Sequence, residues 1–356
     1  MSKRYIYGVI STGQPLTFGQ SHLSPSPEEV YTVMYQGLAC MVSGYSGDDF
    51  TGLSTEGKVR CLMAHQEVIE RVMKGHTILP LKFGTLVEDD DEVRRIMQQG
   101  HDRLTEALDR MGGRVEMEVA ATWDLKRVLG EIGQEEEIIH LRESIAKRPA
   151  SEALELQIRA GRLVKESLDG RRNQYRDQMV KFLGKTALDT QPNALVADEM
   201  VMNVAFLIPR EGEKDFDSRV RQINGVFRDQ INFRVIGPLP PYSFSTVEVI
   251  RPNPGKIEEA RQLLGLGDEV SEKEAKEAYR RLAAKRHPDV HPEDDVAGEQ
   301  FAQVHEASVL LRDYCRGQSD GGGASTDGER CSLRTEDVSQ AFLIEIKRSA
   351  PQGVLS

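Results

Sequence analysis

Two histidines in the last third of the chain have the residue type and the spacing of a metal site. His287 and His291 lie four positions apart, a spacing that would hold zinc on one face of a helix. Pro288 follows His287 directly and ends a helix, because proline lacks the backbone N–H and clashes with the preceding turn. We therefore expect no metal here and interpret His287, Pro288 and Asp289 as a loop that presents polar contacts.

The residues before this loop form the one clearly basic stretch of the chain. Residues 271–287 contain six basic and three acidic side chains. The whole chain has 57 Asp and Glu against 46 Lys and Arg, a net charge of −11. This acidic balance argues against nucleic acid as the main partner, because phosphate binding relies on clustered Lys and Arg.

Motifs of the common enzyme classes are missing. The sequence has no GxGxxG, no P-loop, no GxSxG and no paired carboxylates in a strand–turn context. Gly265-Leu266-Gly267 is too short to cradle a phosphate and follows a helix. We therefore expect neither catalysis nor a cofactor.

Cysteine spacing and hydropathy indicate the compartment. Cys40, Cys61, Cys315 and Cys331 show neither CxxC nor zinc spacing, so we expect four scattered, reduced thiols. No apolar run approaches the roughly 18–20 residues that cross a bilayer, and no signal-peptide pattern precedes the first strand. These features predict a cytoplasmic protein that does not bind membranes.

Length and hydrophobic periodicity predict several domains. A chain of 356 residues fits two to three. Its first part reads as a strand over residues 5–10, a loop, paired strands over 30–43 and a helix from Thr55 to Gly75. A strand over 78–87, a helix from the acidic run 88–92 to Gly112 and a strand over 115–121 follow. We expect a sheet with helices on one face.

The second part begins with a helical segment over residues 125–187, broken near Pro149. Its apolar face is predicted to contain Leu154, Ile158, Leu163, Tyr175, Met179 and Leu183. A buried strand over 200–208, a helix over 216–231 and strands over 233–236 and 242–250 then predict a second α+β unit. The prolines at 238–241 forbid regular pairing between those last strands.

The predicted fold class is therefore α+β, with two small sheet-plus-helix, ferredoxin-like domains linked by a helical segment, plus an all-α module. The domains are predicted as 1–124, the helical connector 125–195, the second α+β domain 196–255, the helical module 256–316 and a flexible linker 317–337. A lone strand is unstable in water, so we expect strand 338–348 to return and complete the second sheet.

Three stretches in residues 1 to about 250 form a recognisable pattern: Tyr5-Ile6-Tyr7-Gly8-Val9, residues 65–68 with 78–85, and residues 202–208 with 237–244. In their order and spacing they resemble the gas vesicle GvpF/GvpL family. It implies a gas vesicle location, with GvpA, the hydrophobic shell subunit, and other gas vesicle proteins as partners. Within these stretches His65 and Lys82 are polar groups beside apolar elements, and we expect local hydrogen bonds to satisfy both.

The helical module over residues 256–316 has three local signals. Leu263-Leu264-Gly265-Leu266 ends a short first helix, Ser271 with Glu274 makes a capping box, and His287-Pro288-Asp289 stands between two helices. The module resembles a J-domain, by which co-chaperones engage DnaK-type chaperones. The resemblance implies a chaperone-binding site formed by His287, Pro288, Asp289, Lys276, Arg280, Arg281 and Lys285. The sequence departs from the family pattern at Arg286 and Ser308 and in the missing or very short fourth helix.

Together the two resemblances imply a gas vesicle assembly factor or minor vesicle component. It would bind GvpA, limit GvpA aggregation during nucleation, and recruit a DnaK-type chaperone through the J-domain. The alternative is a structural vesicle component or adaptor whose J-like module does not stimulate a chaperone.

Overall fold

The computed structural model describes residues 3–47, 50–228, 230–286, 295–318 and 330–348. The strands are β1 (Lys3–Ser11), β2 (Thr17–Ser21), β3 (Glu28–Tyr35), β4 (Leu38–Tyr45), β5 (Ile78–Pro80), β6 (Leu86–Val87), β7 (Arg114–Trp123), β8 (Asp189–Pro192), β9 (Met200–Pro209), β10 (Ile231–Leu239), β11 (Thr246–Ile250), β12 (Glu269–Ser271), β13 (Arg330–Ser332) and β14 (Leu343–Lys347).

The helices are α1 (Thr55–Met73), α2 (Asp90–Gln99), α3 (His101–Met111), α4 (Leu125–Ile132), α5 (Glu136–Ala146), α6 (Ala150–Leu183), α7 (Glu213–Val226), α8 (Pro254–Leu264), α9 (Glu272–Arg286), α10 (Asp295–Gln318) and α11 (Thr335–Gln340). None of the helices in the described part of the chain is both long and apolar enough to cross a membrane.

The chain folds as two compact units. One contains residues up to Gly112 together with Ser245–Lys347, and the other contains Gly113–Phe244. The mixed α+β fold matches the predicted class. The division differs from the predicted boundary at residue 124, because β7 pairs with β9 and β10 rather than with the first sheet.

The first unit is built on an antiparallel sheet in the order β2-β3-β4-β1-β5, with β6 also paired to β1. Six consecutive residues of β1, Tyr5 to Ile10, are buried. Successive strand residues point to opposite faces, and Arg4 bonds to Asp90 of α2 whereas the next residue, Tyr5, bonds to His65 of α1. Helices therefore lie on both faces, and the expectation of helices on one face was wrong. Helices α1, α2 and α3 all contact this sheet.

Two predicted elements of this unit are divided at glycines. The predicted strand 78–87 is two short strands, β5 and β6, separated by a turn in which Gly84 has φ +90°. The predicted helix from 88 to 112 is two helices that meet at Gly100. The acidic run does cap the first of them, since the Asp89 carboxylate accepts hydrogen bonds from the N–H groups of Asp91 and Glu92.

The second unit has the sheet order β10-β7-β9-β8, entirely antiparallel. Its core joins the buried residues of β7 and β9 to α6 and α7, with Phe206, Phe216 and Met179 fully buried. A β-bulge between Ile236 and Leu239 contains Gly237, whose φ is +146°. A Cβ there would lie 2.9 Å from the Glu116 carbonyl oxygen, so the close approach of β10 to β7 requires glycine.

The last part of the chain returns to the first unit. β14 pairs antiparallel with β11, and β11 forms an isolated parallel bridge to the first unit between Val247 and Leu81. We expected strand 338–348 to complete the second sheet instead. The predicted linker 317–337 includes β13 and the start of α11, while residues 319–329 lie outside the described part of the chain.

Candidate functional site

Helix α9 carries most of the predicted chaperone-binding residues and begins at the predicted capping box. The Ser271 Oγ accepts a hydrogen bond from the Glu274 N–H at 3.2 Å, and the Glu274 carboxylate accepts one from the Ser271 N–H at 2.8 Å. Two backbone donors at the helix start are thereby satisfied, which fixes where α9 begins.

One side of α9 packs on α10. Ala275 and Ala278 are buried against a core that includes Val304 and Leu311 of α10. The ring of Tyr279 lies 5.6 Å from that of His305, edge to face. Small side chains on α9 let the two helices approach closely, so the inner face is a packing surface and the charged residues point away from it.

The opposite side of α9 is a basic face, which we define as Lys276, Arg280 and Arg281. All three side chains are exposed. Within the described residues none of them lies in an ion pair, whereas most neighbouring arginines do. Arg261 pairs with Glu258, for example, and Arg316 pairs with Glu272. Among the described residues no ion pair neutralises these three cations, and together with the exposed Glu277 they leave this side of α9 with a net positive charge.

The remaining predicted site residues are only partly placed. Lys285 lies in the last turn of α9, and His287, Pro288 and Asp289 lie outside the described residues. The structure therefore brings Lys276, Arg280 and Arg281 together on one face, and the role of the loop stays a prediction. Within the described residues, no group of three His, Cys, Asp or Glu side chains is arranged to hold a metal ion.

His65 and Lys82 both have side-chain partners, although these lie far away in the sequence and are not the local groups that we expected. His65 is fully buried on α1, and its Nδ1 lies 2.8 Å from the hydroxyl of Tyr5. Burial lowers the pKa of this imidazole to about 3, so it is neutral near pH 7. The Lys82 ammonium lies 2.5 Å from the carboxylate of Glu248 on β11. Both residues therefore hold the first unit together.

Glu116 is a buried ionisable residue that the sequence reading missed. Its side chain on β7 has no exposed surface, and its two oxygens accept hydrogen bonds from the N–H and the hydroxyl of Ser243, at 2.8 and 2.7 Å. Burial raises the pKa of this carboxyl to about 8. The available signal was a glutamate placed between Val115 and Met117 in a predicted strand.

Two of the cysteines are not the separate thiols that we expected. The structure joins Cys315 of α10 and Cys331 of β13 in a disulfide, with their Cα atoms 5.3 Å apart. Cys40 and Cys61 are free and buried. The pairing was not visible in the sequence, because tertiary contacts rather than a short motif bring the two residues together.

The apolar face predicted for the helical segment 125–187 is only partly buried. Met179 and Leu183 are fully buried, but Leu154 and Ile158 near the start of α6 are 61% and 56% exposed. These two side chains lie one turn apart and form an exposed apolar pair. Ala153 is buried in their place, so this half of α6 turns a smaller side chain inwards.

Comparison with known proteins identifies both parts of the chain. The family model described as gas vesicle synthesis protein GvpL/GvpF matches residues 3–246. Gas vesicle protein F of Nostoc sp. is 28% identical over 259 residues, which cover 68% of this chain and 98% of that protein. The crystal structure of the gas vesicle protein GvpF from Anabaena sp. has a TM-score of 0.60 at 25% identity, over 68% of this chain and 97% of that one.

A second family model, the DnaJ domain, matches residues 261–317. Chaperone protein DnaJ of Halothermothrix orenii is 44% identical over 52 residues, 15% of this chain and 14% of that protein. Since the first model covers more than half of the chain and the second follows it, this protein belongs to the gas vesicle GvpL/GvpF family and carries a DnaJ domain after the family region.

Proposed function

We propose that this protein is an assembly factor that acts at the gas vesicle in the cytoplasm. It binds GvpA, the hydrophobic shell subunit, limits GvpA aggregation during nucleation, and recruits a DnaK-type chaperone through the DnaJ domain. The observation that carries the proposal is the exposed basic face of α9, which forms no ion pair with the described residues, in a chain of the gas vesicle family.

Electrostatics supports the chaperone half of the proposal. Lys276 and Arg280 lie one helical turn apart on the same side of α9. Arg281 extends this side further round the helix, where the exposed Glu277 offsets one of the three positive charges. A partner surface with the opposite charge would be steered towards this face and fixed in register, which raises the association rate more than the final affinity. The loop 287–289, next along the chain, would then couple docking to ATP hydrolysis.

Exposed apolar surface supports the client half. A shell subunit with an apolar surface aggregates before assembly unless another protein covers that surface. Leu154 and Ile158 on α6 and Met63 on α1 are large apolar side chains that are more than half exposed. Each offers contact area for such a client, and α6 offers two of them on adjacent turns.

Single-turnover ATP hydrolysis by the host DnaK-type chaperone tests the recruitment step. The unmodified chain is expected to accelerate hydrolysis, and His287→Gln or the double variant Lys276→Glu/Arg280→Glu is expected to remove most of the acceleration. Lys58→Glu, at an exposed lysine of α1, is the matched charge control and should keep it. Equal stimulation by all four proteins, or by none, would show that recruitment through this face is wrong.

Co-purification tests the client step separately. GvpA and the chaperone should both be retained on the protein in a gas-vesicle-producing cell. His287→Gln should lose only the chaperone, whereas Leu154→Asp/Ile158→Asp should lose GvpA and Gln157→Asp, an exposed polar neighbour, should not. Retention of GvpA by the Leu154→Asp/Ile158→Asp variant would show that GvpA does not bind through these residues of α6.

A structural component or adaptor is the second candidate. Ser308 is buried on α10 and its hydroxyl has no hydrogen-bond partner among the described residues, at a position where the J-domain pattern usually has tyrosine. After α10 the next described element is the strand β13 rather than a fourth helix. Stable incorporation into purified vesicles together with no chaperone stimulation would favour this candidate.

A further inference from the structure

The DnaJ family match ends at residue 317, but the packed core of this region extends beyond it. We define the helical module as α8, α9 and α10, and the strap as residues 330–347. Four strap residues are buried in the same hydrophobic cluster as the module helices: Cys331, Leu333, Val338 and Ala341. Leu333 and Val338 are each only 1% exposed, so they are as deep as Leu311 of α10.

Hydrogen bonds attach the first half of the strap to the module. β13 pairs antiparallel with β12, so residues 330–332 lie beside residues 269–271 immediately before α9. The Leu333 N–H donates to the Asp268 carbonyl at 2.7 Å, and the Tyr314 hydroxyl of α10 donates to the Ser332 carbonyl at 3.0 Å. Arg330 also pairs with Glu274, the carboxylate of the capping box, at 2.9 Å.

The second half of the strap attaches to the first sheet unit. β14 pairs with β11 over five residues, and the β11 carbonyl of Val247 accepts a hydrogen bond from the Lys82 N–H at 2.8 Å. The Phe342 N–H donates to the Gln99 side chain at 2.7 Å. Phe342 itself is buried, with the Arg251 guanidinium 4.6 Å from its ring centre.

Arg103 connects the first sheet unit, the strap and the helical module. Arg103 of α3 donates to the Ile344 carbonyl of the strap at 3.1 Å and to the Arg316 carbonyl of α10 at 2.5 Å. The end of α10 also lies so close to β14 that a Cβ at Gly317 would be 2.5 Å from Leu343. The module, the strap and α3 are therefore in direct contact at one point.

We propose that the strap completes the core of the DnaJ-type module and fixes that module rigidly to the first sheet unit. The basic face of α9 is then presented in one orientation, not on a flexible tether. This inference rests on the proposed function only for its consequence: a chaperone on α9 and a client that contacts Met63 of α1 meet in a geometry set by the strap. A rigid link permits or forbids simultaneous binding outright, whereas a flexible one averages over many separations.

Hydrogen exchange on the full chain tests the completion of the module. Leu333→Ala/Val338→Ala should speed exchange of amides in α8 and α10 by about tenfold or more while leaving β1 and β4 unchanged, because only the module loses core contacts. Glu336→Ala, at an exposed residue between them on the strap, should leave all of these rates unchanged. Unchanged exchange in the double variant would overturn the proposal.

Distance measurement tests the rigid attachment without perturbing the core. Spin labels introduced through non-canonical amino acids at Lys58 on α1 and Lys276 on α9 should give one narrow distance distribution, and Arg103→Ala should broaden it. A broad distribution in the otherwise unmodified chain would show a flexible tether and overturn the attachment. Neither measurement involves a chaperone, so a chain that fails to stimulate ATP hydrolysis refutes the proposed function and leaves the strap to be decided independently.

Discussion

At the scale of single residues, two buried polar side chains connect parts of the chain that are distant in sequence. Glu116 on β7 holds Ser243, 127 positions away, and Tyr5 on β1 holds His65, 60 positions away. Each pair satisfies groups that would otherwise be buried without a partner, at a cost of about 1–3 kcal/mol per unsatisfied group. Both pairs therefore make stability depend on protonation.

The stability of the second unit should depend on pH through the protonation of Glu116. The folded-state pKa of about 8 lies above the ordinary value of 4.5, so the folded chain holds a proton that the unfolded chain releases. Stability should then fall as pH rises from about 4.5 to 8, by on the order of 3–4 kcal/mol in total. In Glu116→Gln the amide oxygen can accept from the Ser243 N–H and the amide N–H can donate to the Ser243 hydroxyl, so the variant should remove this loss, as measured by denaturant unfolding at about pH 5 and pH 8.

Glu118→Gln is the control for that measurement, because Glu118 lies on the same strand and is less buried. The Glu118→Gln chain should lose almost as much stability between the two pH values as the unmodified chain does. A Glu116→Gln chain that loses stability between the two pH values as steeply as the unmodified chain would contradict a neutral, buried carboxyl at residue 116.

Removing the Tyr5 hydroxyl should destabilise the first unit. Tyr5 lies within hydrogen-bond distance of His65 Nδ1 and accepts from the Gly84 N–H at 3.2 Å, so Tyr5→Phe leaves two polar groups without their partner. We expect a loss of about 2 kcal/mol in the free energy of unfolding, measured in urea. Tyr35→Phe, at a half-buried tyrosine on β3, should cost far less, and equal losses would show that the hydroxyl of Tyr5 carries no special role.

At the scale of elements, local sequence signals placed most helices and central strands. The capping box at Ser271, the acidic start of α2 and the break before α6 all lie where their residue types indicated. The divisions at Gly84 and Gly100 were missed, because the apolar spacing on the two sides of each glycine is compatible with one continuous element even when the backbone turns at the glycine.

Alanine substitutions distinguish a glycine that close packing between strands requires from a glycine that lies inside a helix without such a requirement. Gly237→Ala should destabilise the second unit by more than about 2 kcal/mol, because the new Cβ would meet the β7 backbone and the backbone has φ +146°. Gly170→Ala should instead stabilise by up to about 1 kcal/mol, since Gly170 lies inside α6 with open space around it. Thermal unfolding measures the stability change of each variant. Changes of the same sign in the two variants would contradict the conclusion that the bulge requires glycine at residue 237.

At the scale of the whole molecule, charge is unevenly distributed. The chain carries a net charge of −11, yet α9 presents the basic face to solvent. An acidic protein with a local basic face repels an acidic partner from most directions and attracts it at one, which gives directional steering.

Chaperone association should therefore depend on ionic strength. Under the proposed function, raising salt from about 0.05 M to about 0.3 M should slow association by about tenfold, because the screening length falls well below the size of either protein. Lys276→Glu/Arg280→Glu should associate more slowly at low salt and show little further dependence. Stopped-flow measurement gives the association rate at each salt concentration. A salt-independent rate for the unmodified chain would exclude electrostatic docking through α9.

The sequence by itself determined the fold class, the helices of the C-terminal module and the basic side chains of α9, because these depend on periodicity, capping and residue type along a continuous segment. It did not determine which sheet receives β7 and β14, that Glu116 reaches Ser243, or that residues 330–347 share the core of the helical module. Those outcomes depend on contacts between segments far apart in the chain. Many such pairings are compatible with the same local pattern, and only the packing of the complete chain selects among them.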